Sequence, residues 1–342
     1  MKRRFTTVFF VACAAIVAAC GGAESDASED DVFRVALLTG GPVSDAGWYA
    51  GAYEGLLLLR DQMGAEVSHQ QTRTPAEFDE AFLSYASSGY DLVFAHGFEY
   101  QDAAIRAGEQ FPNTIFVVSG GGRFSANVVP LIFQLEEATY VAGMMAGGMS
   151  QSGVVGMVGG VEIPPAQSTF RAFEAGARAM NPEVEILEAF VGNWEDVAAA
   201  KEATIAQLQR RADVVIHNMD GGSFGIFQAV REAVAAGGTV WALGMNNDQN
   251  HVAPDVILGS AVIRISQAFA ETALAWQSGE LGGAPIYAGS SGEVIDFVVN
   301  PAMTDRVPAA LLEAIDEARA SIRAGTLEVP SVPFVEGGPG GS

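Results

Sequence analysis

Cysteine is nearly absent from this 342-residue chain, and both cysteines, Cys13 and Cys20, lie close to its N-terminus. The rest of the chain therefore offers no thiol for a disulfide, a cysteine nucleophile or a cysteine-ligated metal site. Basic residues are also scarce, since 18 lysines and arginines stand against 41 acidic residues and give a formal charge of −23. We expect no binding of nucleic acid or of anionic membrane surfaces by such an acidic chain.

Motifs that mark the common enzyme classes are also missing. No zinc-protease, P-loop or dinucleotide-binding pattern occurs in a suitable context. Residues 221–225 read Gly-Gly-Ser-Phe-Gly and match the G-x-S-x-G elbow that presents a nucleophilic serine, here Ser223, in hydrolases. However, about five residues separate Ser223 from the predicted strand, and the only later histidine is His251, close to Asp248. We predict that the chain is not an enzyme and uses no cofactor or metal, with a serine hydrolase as an alternative.

The N-terminal residues have the features of an export signal. Lys2, Arg3 and Arg4 precede an apolar stretch, 5–19, that is too short to span a bilayer comfortably. Residues 17–20, Val-Ala-Ala-Cys, resemble the bacterial lipobox, whose cysteine is acylated and becomes the mature N-terminus. We predict a signal peptide at 1–19 and a flexible tether at 20–31 that is lipidated at Cys20 and attached to a membrane. An ordinary cleaved signal with an incidental cysteine is the alternative.

Short apolar segments alternate with segments of helical spacing along the rest of the chain. Eight segments are predicted strands, and most are apolar throughout, as in a parallel sheet covered on both faces. Nine predicted helices lie between and after them. The pattern predicts an α/β fold of two doubly wound parallel-sheet lobes joined by a multi-strand hinge. The N-terminal lobe is predicted at 32–134 plus 247–283, the C-terminal lobe at 135–246 plus 284–330, and a flexible tail at 331–342.

Residues that directly follow the predicted strands form the candidate site, because ligands of open α/β sheets bind beyond the carboxyl ends of the strands. The candidate ligand-binding residues in these loops are Asp45, Trp48, His96, Trp194, Asp220, Asn246 and Asp248. Trp48 suits stacking on a planar ligand, and Asp45 suits hydrogen bonding to its edge. The alternatives are a packed Trp48, a buried structural His96 and an Asp220 in a solvated turn.

The order and spacing of several motifs resemble the basic membrane protein, or purine-nucleoside-receptor, family of ABC transporter substrate-binding lipoproteins. The resemblance covers nearly the whole mature chain and rests on segments 44–48, 127–129 followed by 136–142, 159–164, 181–182, 194–202 and 244–249. It implies the periplasmic-binding-protein type I fold, with a purine base held between aromatic rings and a ribose gripped by an Asp and a Lys. Trp48 and Asp45 match family positions, whereas Asn246 and Ile263 stand where the ribose-binding Asp and Lys are expected.

The resemblance implies a solute-binding lipoprotein that works as a monomer with the permease subunits of an ABC importer. Because the charged ribose clamp is missing, we expect as ligand a purine-type nucleobase, a nucleoside or a related planar heterocycle such as a flavin. We expect the protein to be exported to the cell envelope and lipid-anchored to a bacterial membrane. A ligand sensor that passes its signal to a receptor is the alternative, since the sequence does not separate sensing from import.

Overall fold

Two six-stranded sheets form the framework of residues 32–335, which are the residues described by this computed structural model. The strands are β1 (Arg34–Thr39), β2 (Glu66–Gln71), β3 (Leu92–His96), β4 (Ile115–Ser119), β5 (Val128–Phe133), β6 (Val154–Gly159), β7 (Glu185–Phe190), β8 (Val214–Asn218), β9 (Trp241–Asn246), β10 (Ile257–Ile263), β11 (Ile286–Ala288) and β12 (Ile295–Val299). The first sheet has the order β11-β5-β4-β3-β1-β2, and the second has the order β12-β10-β9-β8-β6-β7. Their strand pairs are parallel apart from β10 with β12.

Helices connect these strands and cover the sheets. They are α1 (Trp48–Met63), α2 (Pro75–Ser87), α3 (Gln101–Gln110), α4 (Glu136–Met149), α5 (Pro164–Met180), α6 (Val197–Gln209), α7 (Ser223–Ala235), α8 (Ile265–Gln277) and α9 (Ala309–Arg323). On one face of the first sheet, Phe94 of β3 stacks on Phe269 of α8 at 4.0 Å, and on the other face Phe82 and Tyr100 pack together. Central strands such as β3 and β10 are consequently buried along their whole length, which explains their apolar sequences.

Each sheet contains one point at which the strand order reverses. In the first sheet this point lies between β1 and β3, and in the second it lies between β6 and β8. At such a point the connections leave the sheet in opposite directions, so a crevice forms outside the carboxyl ends of the two strands. The loops after β1, β3, β6 and β8 therefore define where a ligand would bind.

The chain crosses between the sheets three times, after β5, after β10 and after β11, in agreement with the predicted multi-strand hinge. We call the first sheet with α1, α2, α3 and α8 the first lobe, and the second sheet with the other helices the second lobe. The predicted boundaries differ at two places. Segment 247–283 was predicted in the N-terminal lobe, but β10 pairs with β9 in the second sheet and only α8 packs on α1. Segment 284–330 was predicted in the C-terminal lobe, but β11 pairs with β5.

Hydrogen bonds explain why the chain stays in the second lobe after β9. The backbone N–H of Gln249 donates to the Ser260 hydroxyl at 3.2 Å, and this hydroxyl donates to the Asn250 side-chain oxygen at 3.1 Å. Both bonds fold loop 247–256 back onto β10. The predicted boundary at residue 247 is therefore wrong, because these bonds hold loop 247–256 within the second lobe.

The predictions for the two ends of the chain fall only partly within the described residues. The predicted signal peptide and the tether with Cys20 lie outside the described residues. The predicted flexible tail is corrected for 331–335, because the Val332 backbone N–H donates to the Ser168 hydroxyl at 2.8 Å and Val335 is buried. Residues 336–342 also lie outside the described range. Between residues 32 and 335, no helix has the length and apolar character that a membrane span requires.

Candidate ligand-binding site

A cavity with about 700 Å³ of space, part of it open to solvent, lies between the lobes, at the carboxyl ends of the central strands. Its aromatic lining consists of Trp48, Tyr49, Phe98, Phe133, Trp194 and Phe334. Its polar and charged side chains are Glu99, Ser119, Thr169, Asn218, Asp220 and Asn246. No lysine or arginine belongs to the described residues that line it. The cavity therefore suits a flat ligand edged with hydrogen-bond donors and disfavours an anion.

Trp48 begins α1 and contributes its indole to the cavity from the first lobe. One face of the indole stacks on the His96 imidazole, with 3.8 Å between the ring centroids and 26° between the planes. The Phe133 ring meets the indole edge-on at 5.7 Å. These buried rings fix the orientation of Trp48, which is itself only half-buried. Its remaining surface is thus held ready to stack on a planar ligand.

His96 supports Trp48 and does not line the cavity, where it was predicted to contact the ligand. The ring is fully buried, with Nδ1 2.8 Å from the Ser119 hydroxyl and Nε2 3.2 Å from the Trp48 carbonyl oxygen. Burial lowers the pKa of His96 to about 3, so the imidazole is neutral at physiological pH. Because a carbonyl only accepts, Nε2 donates to Trp48, and Nδ1 accepts from Ser119.

Asp45 likewise lies behind the lining and not at the ligand edge for which it was predicted. Its carboxylate is 2% exposed and accepts backbone hydrogen bonds from Gly47, Tyr49 and Ala50 at 3.2, 2.9 and 2.8 Å. These N–H groups lie at the start of α1, where helix geometry leaves them without partners. Burial raises the pKa of Asp45, although the three bonds lower it. The residue anchors the helix end that carries Trp48.

Two carboxylates line the cavity, Glu99 from the first lobe and Asp220 from the second. Burial raises the pKa of both groups. For Asp220 the negative charges of Asp45, Glu195 and Glu99 raise the pKa further, while a hydrogen bond from the Tyr49 hydroxyl lowers it. Acidic groups from both lobes thus meet around the cavity. Hydrogen-bond donors on a ligand would stabilise these carboxylates in their ionised form.

Trp194 reaches the cavity from the second lobe, in the loop after β7. Its indole lies against Gly160 so closely that a Cβ on this glycine would come within 2.2 Å of the ring. The Trp194 carbonyl accepts backbone hydrogen bonds from Asp220 at 3.2 Å and Gly222 at 3.0 Å. These contacts join the Trp194 and Asp220 loops, so an indole and a carboxylate of the second lobe are positioned as one unit.

Asn246 ends β9 in a left-handed conformation, with φ of 71°, and is 4% exposed. Asn tolerates this conformation better than most residues. Its side-chain amide has no hydrogen bond to any residue of the described chain, although it lines the cavity. The loop behind it is fixed by Gln249, whose amide oxygen accepts from Met245 N at 3.0 Å and lies 2.8 Å from His217 Nε2. Asn246 therefore offers a free donor and acceptor to a ligand.

Three other residues selected from the sequence lie away from this lining. Asp248 is exposed, and its carboxylate accepts from the Asn250 backbone at 3.0 Å, as in a turn. Ser223 is fully buried, and its hydroxyl has no partner among residues 32–335. The His251 ring lies 3.0 Å from the Asp248 carbonyl oxygen, and no hydrogen bond joins it to the Ser223 hydroxyl. The described residues therefore do not assemble the Ser–His pair that the hydrolase alternative requires.

The lining includes residues that sequence reasoning did not select, namely Tyr49, Glu99, Phe133, Thr169 and Phe334. The sequence could have indicated Glu99 as a site residue, because it closely follows the strand end at His96. No sequence feature indicated Phe334, because it lies in the segment predicted as a flexible tail. Ile263, which stands where the family Lys is expected, also lines the cavity. The position at which the family Lys is expected is therefore part of the cavity lining and is apolar here.

This chain is similar to several known binding proteins. A purine-binding protein of Brucella abortus is 25% identical over 310 residues, covering 90% of this chain and 85% of the relative. A putative ABC transporter glucose-binding protein of Haloferax volcanii is 28% identical over 220 residues, covering 64% of this chain and 54% of the relative. The crystal structure of an ABC transporter solute-binding protein from Aeropyrum pernix matches with a TM-score of 0.81 at 18% identity, over 90% of this chain and 95% of the other.

The structural match confirms the predicted type I fold of periplasmic binding proteins, with two parallel-sheet lobes. A family profile for PnrA-like ABC transporter substrate-binding proteins matches residues 32–330, which is most of the chain. This match confirms the resemblance seen in the sequence motifs. The chain belongs to the Bmp family of PnrA-like ABC transporter substrate-binding proteins.

Proposed function

We propose that this protein captures a purine-type nucleobase or nucleoside, or a related planar heterocycle, for an ABC importer. The composition of the cavity carries this proposal, since an indole from each lobe and two carboxylates line it and no described lining residue is basic. Aromatic rings stack on flat heterocycles, and carboxylates accept hydrogen bonds from amino and hydroxyl groups. The purine-binding relative supports the same ligand class.

The lining supports a ribose contact that differs from the one expected for the family. Asn246 and Ile263 replace the charged pair, while Asp220 and Glu99 offer carboxylates from opposite lobes. Hydrogen bonds to an ionised acceptor are roughly twice as strong as neutral ones, so these carboxylates are suitable partners for hydroxyl groups. A phosphate would place negative charge beside them. The proposed ligands are therefore neutral bases and nucleosides, including flavin-type heterocycles, and not nucleotides.

Capture is proposed to close the two lobes over the ligand. A ligand that contacts both lobes stabilises the closed arrangement and shifts the population towards it. Trp48 would act from the first lobe, and Trp194, Asp220 and Asn246 from the second. Permease subunits would then recognise the closed shape. In this scheme Asp45 and His96 act indirectly, by fixing α1 and the Trp48 indole.

We further propose that the protein is exported, lipid-anchored through Cys20 to a bacterial membrane, and monomeric. The N-terminal sequence supports the anchor, and substrate-binding proteins of this family are extracytoplasmic. Replacement of Cys20 by Ser should release the protein from the membrane fraction and abolish labelling by a fatty-acid analogue. A C20S protein that stays labelled and membrane-bound would refute the anchor.

A sugar is the second candidate ligand, favoured by the glucose-binding relative. Carboxylates accept hydrogen bonds from sugar hydroxyls, and an indole packs against the apolar face of a pyranose. The match covers only 54% of that relative, so it weighs less than the purine-binding one. Glucose therefore belongs in every titration beside the nucleosides.

The deciding experiment uses a chain that begins at residue 32, purified without added ligand. Mass spectrometry of the denatured protein identifies any small molecule that co-purifies. Titration calorimetry then compares adenosine, guanosine, guanine, riboflavin and glucose. Binding of a heterocycle supports the proposal, whereas binding restricted to glucose or other sugars refutes it. Uptake of the bound compound by cells with and without this protein distinguishes import from sensing.

A further inference from the structure

The C-terminal segment 332–335, which we call the strap, contacts both lobes. In the second lobe, the Val332 backbone N–H donates to the Ser168 hydroxyl of α5 at 2.8 Å, and this hydroxyl lies 3.3 Å from the Val332 carbonyl oxygen. In the first lobe, the Phe334 ring meets the Phe98 ring edge-on at 6.5 Å. The Phe334 carbonyl lies against Gly122, where an added Cβ would come within 2.4 Å of its oxygen.

Phe334 also borders two spaces. It lines the main cavity between the lobes, and it lines a neighbouring cavity with an empty volume of about 810 Å³ that is bordered by the strap, Glu136 and Tyr287. The Phe334 ring is half-buried and the following Val335 is buried, so the strap is packed on the protein. Ile132, Phe133 and Pro165 line both spaces with it, so Phe334 forms part of the boundary that the two spaces share.

We propose that the strap is part of the binding site, in which Phe334 completes the aromatic wall and the strap retains the ligand by joining the closed lobes. Separation of the lobes must break either the Ser168 bonds or the Phe98 and Gly122 contacts. Strap release is therefore a step in ligand dissociation. The inference rests on the proposed function for the nature of the ligand, but the position of the strap does not depend on it.

Two matched pairs of variants test the role of the strap. A chain that ends at Pro330 lacks the strap, whereas a chain that ends at Val335 keeps it and removes only residues 336–342. Gly122→Ala forces the Phe334 carbonyl away without altering a residue of the cavity lining. Gly292→Ala is its control, because a Cβ there would meet nothing within 4 Å.

The first measurement is the dissociation rate constant of adenosine and guanosine by stopped flow. Loss of the half-buried Phe334 contact should raise this constant about tenfold in the chain that ends at Pro330 and in Gly122→Ala. The Val335-ended chain and Gly292→Ala should match the parent protein. Equal dissociation rates within each matched pair, with melting temperatures showing intact folds, would overturn the proposal.

The second measurement needs no ligand and separates this inference from the proposed function. Acrylamide quenching is measured in a background of Trp241→Phe and Trp276→Phe, which leaves the two cavity indoles, Trp48 and Trp194. Quenching should increase when the chain ends at Pro330 compared with Val335. If no nucleoside binds but quenching increases, the ligand assignment fails and the strap remains. Equal quenching in the two chains refutes the strap as a cavity wall, whichever ligand binds.

Discussion

Replacement of Trp48 should test the aromatic half of the site most directly. Stacking of a base on an aromatic side chain contributes about 1–3 kcal/mol. His96 already occupies one face of the indole at 3.8 Å, so the ligand gains a single stacking contact. We therefore expect Trp48→Ala to weaken nucleoside binding by about 5- to 150-fold. Trp48→Phe, which keeps a ring on His96, should lose less.

The matched control is Trp276→Ala, which removes an indole of the same lobe that stacks on Phe33 at 4.5 Å and does not line the cavity. Titration calorimetry of adenosine gives the affinities, and thermal unfolding gives the stabilities. Both alanine variants should unfold at lower temperature, but only Trp48→Ala should lose affinity. Unchanged affinity in a folded Trp48→Ala protein, or equal losses in the two variants, would remove Trp48 from the proposed site.

Three further outcomes follow from the geometry. A 5′-phosphate on adenosine should weaken binding by at least about 100-fold, because one like-charge pair at 4 Å repels by about 4 kcal/mol at an effective dielectric of 20. Equal affinities of adenosine and AMP in titration calorimetry would contradict the role of the acidic lining. Asn246→Gly should raise the free energy of unfolding of the ligand-free protein in urea by up to about 1 kcal/mol, because glycine adopts a positive φ without strain. The same change should weaken ligand binding by about 0.5–1.5 kcal/mol, because the side-chain amide is lost. A variant that loses both stability and affinity, or gains both, would contradict this prediction. Gly176→Ala should lower the free energy of unfolding by about 1–3 kcal/mol, since its Cβ would lie 1.9 Å from the Tyr140 carbonyl oxygen, whereas Gly292→Ala should not.

The alternation of apolar and helical segments predicts the fold well where burial is complete. All nine helices lie at the predicted places, and the eight predicted strands correspond to β1, β3, β4, β6, β7, β8, β9 and β10. Most of these strands are covered on both faces and are therefore apolar. The other four, β2, β5, β11 and β12, were not among the predicted strands. β2 was not predicted because Glu66–Gln71 forms an edge strand, with polar residues and no fully buried position. β11 was not predicted because its three residues are too few to show the alternation or apolar run of a strand. Edge elements depend on pairing partners that lie far away in sequence.

The candidate site shows a different limit of sequence reasoning. The strand-end rule selected loops that border the cavity between the lobes, and the predicted residues that line it are Trp48, Trp194, Asp220 and Asn246. It did not predict which side chains of a loop turn away, as Asp45 does to bond the free N–H groups of α1. It also had no means of finding Phe334, since an extended C-terminal segment has no periodicity that indicates where it packs. Such placements are set by tertiary hydrogen bonds and packing.

Acidic residues from the two lobes meet across the cleft, so closure of the ligand-free protein should depend on pH. The first lobe contributes Asp45 and Glu99, and the second contributes Glu195 and Asp220. Burial raises the pKa of each, and charge from the opposite lobe adds to it for Glu195 and Asp220. The other groups that face them are Tyr49, which hydrogen-bonds to Asp220, and Arg73, which lowers the pKa of Glu195.

Separation of the lobes opens the cleft to water and moves Glu195 and Asp220 away from the acidic groups of the first lobe, whereas Asp45 stays bonded to α1 within its own lobe. The pKa values of the carboxyls that face the cleft are therefore higher in the closed than in the open arrangement. Protons therefore bind preferentially to the closed form, and closure should increase as the pH falls from neutral towards the ordinary values of 3.8 for Asp and 4.5 for Glu. Small-angle X-ray scattering should show a smaller radius of gyration at lower pH, and Asp220→Asn should weaken this response. A radius that stays constant or grows in the folded protein would contradict the argument. At neutral pH, where fewer of these carboxyls are protonated, the hydrogen-bond donors of the proposed ligand would take the place of the protons, which would couple capture to closure.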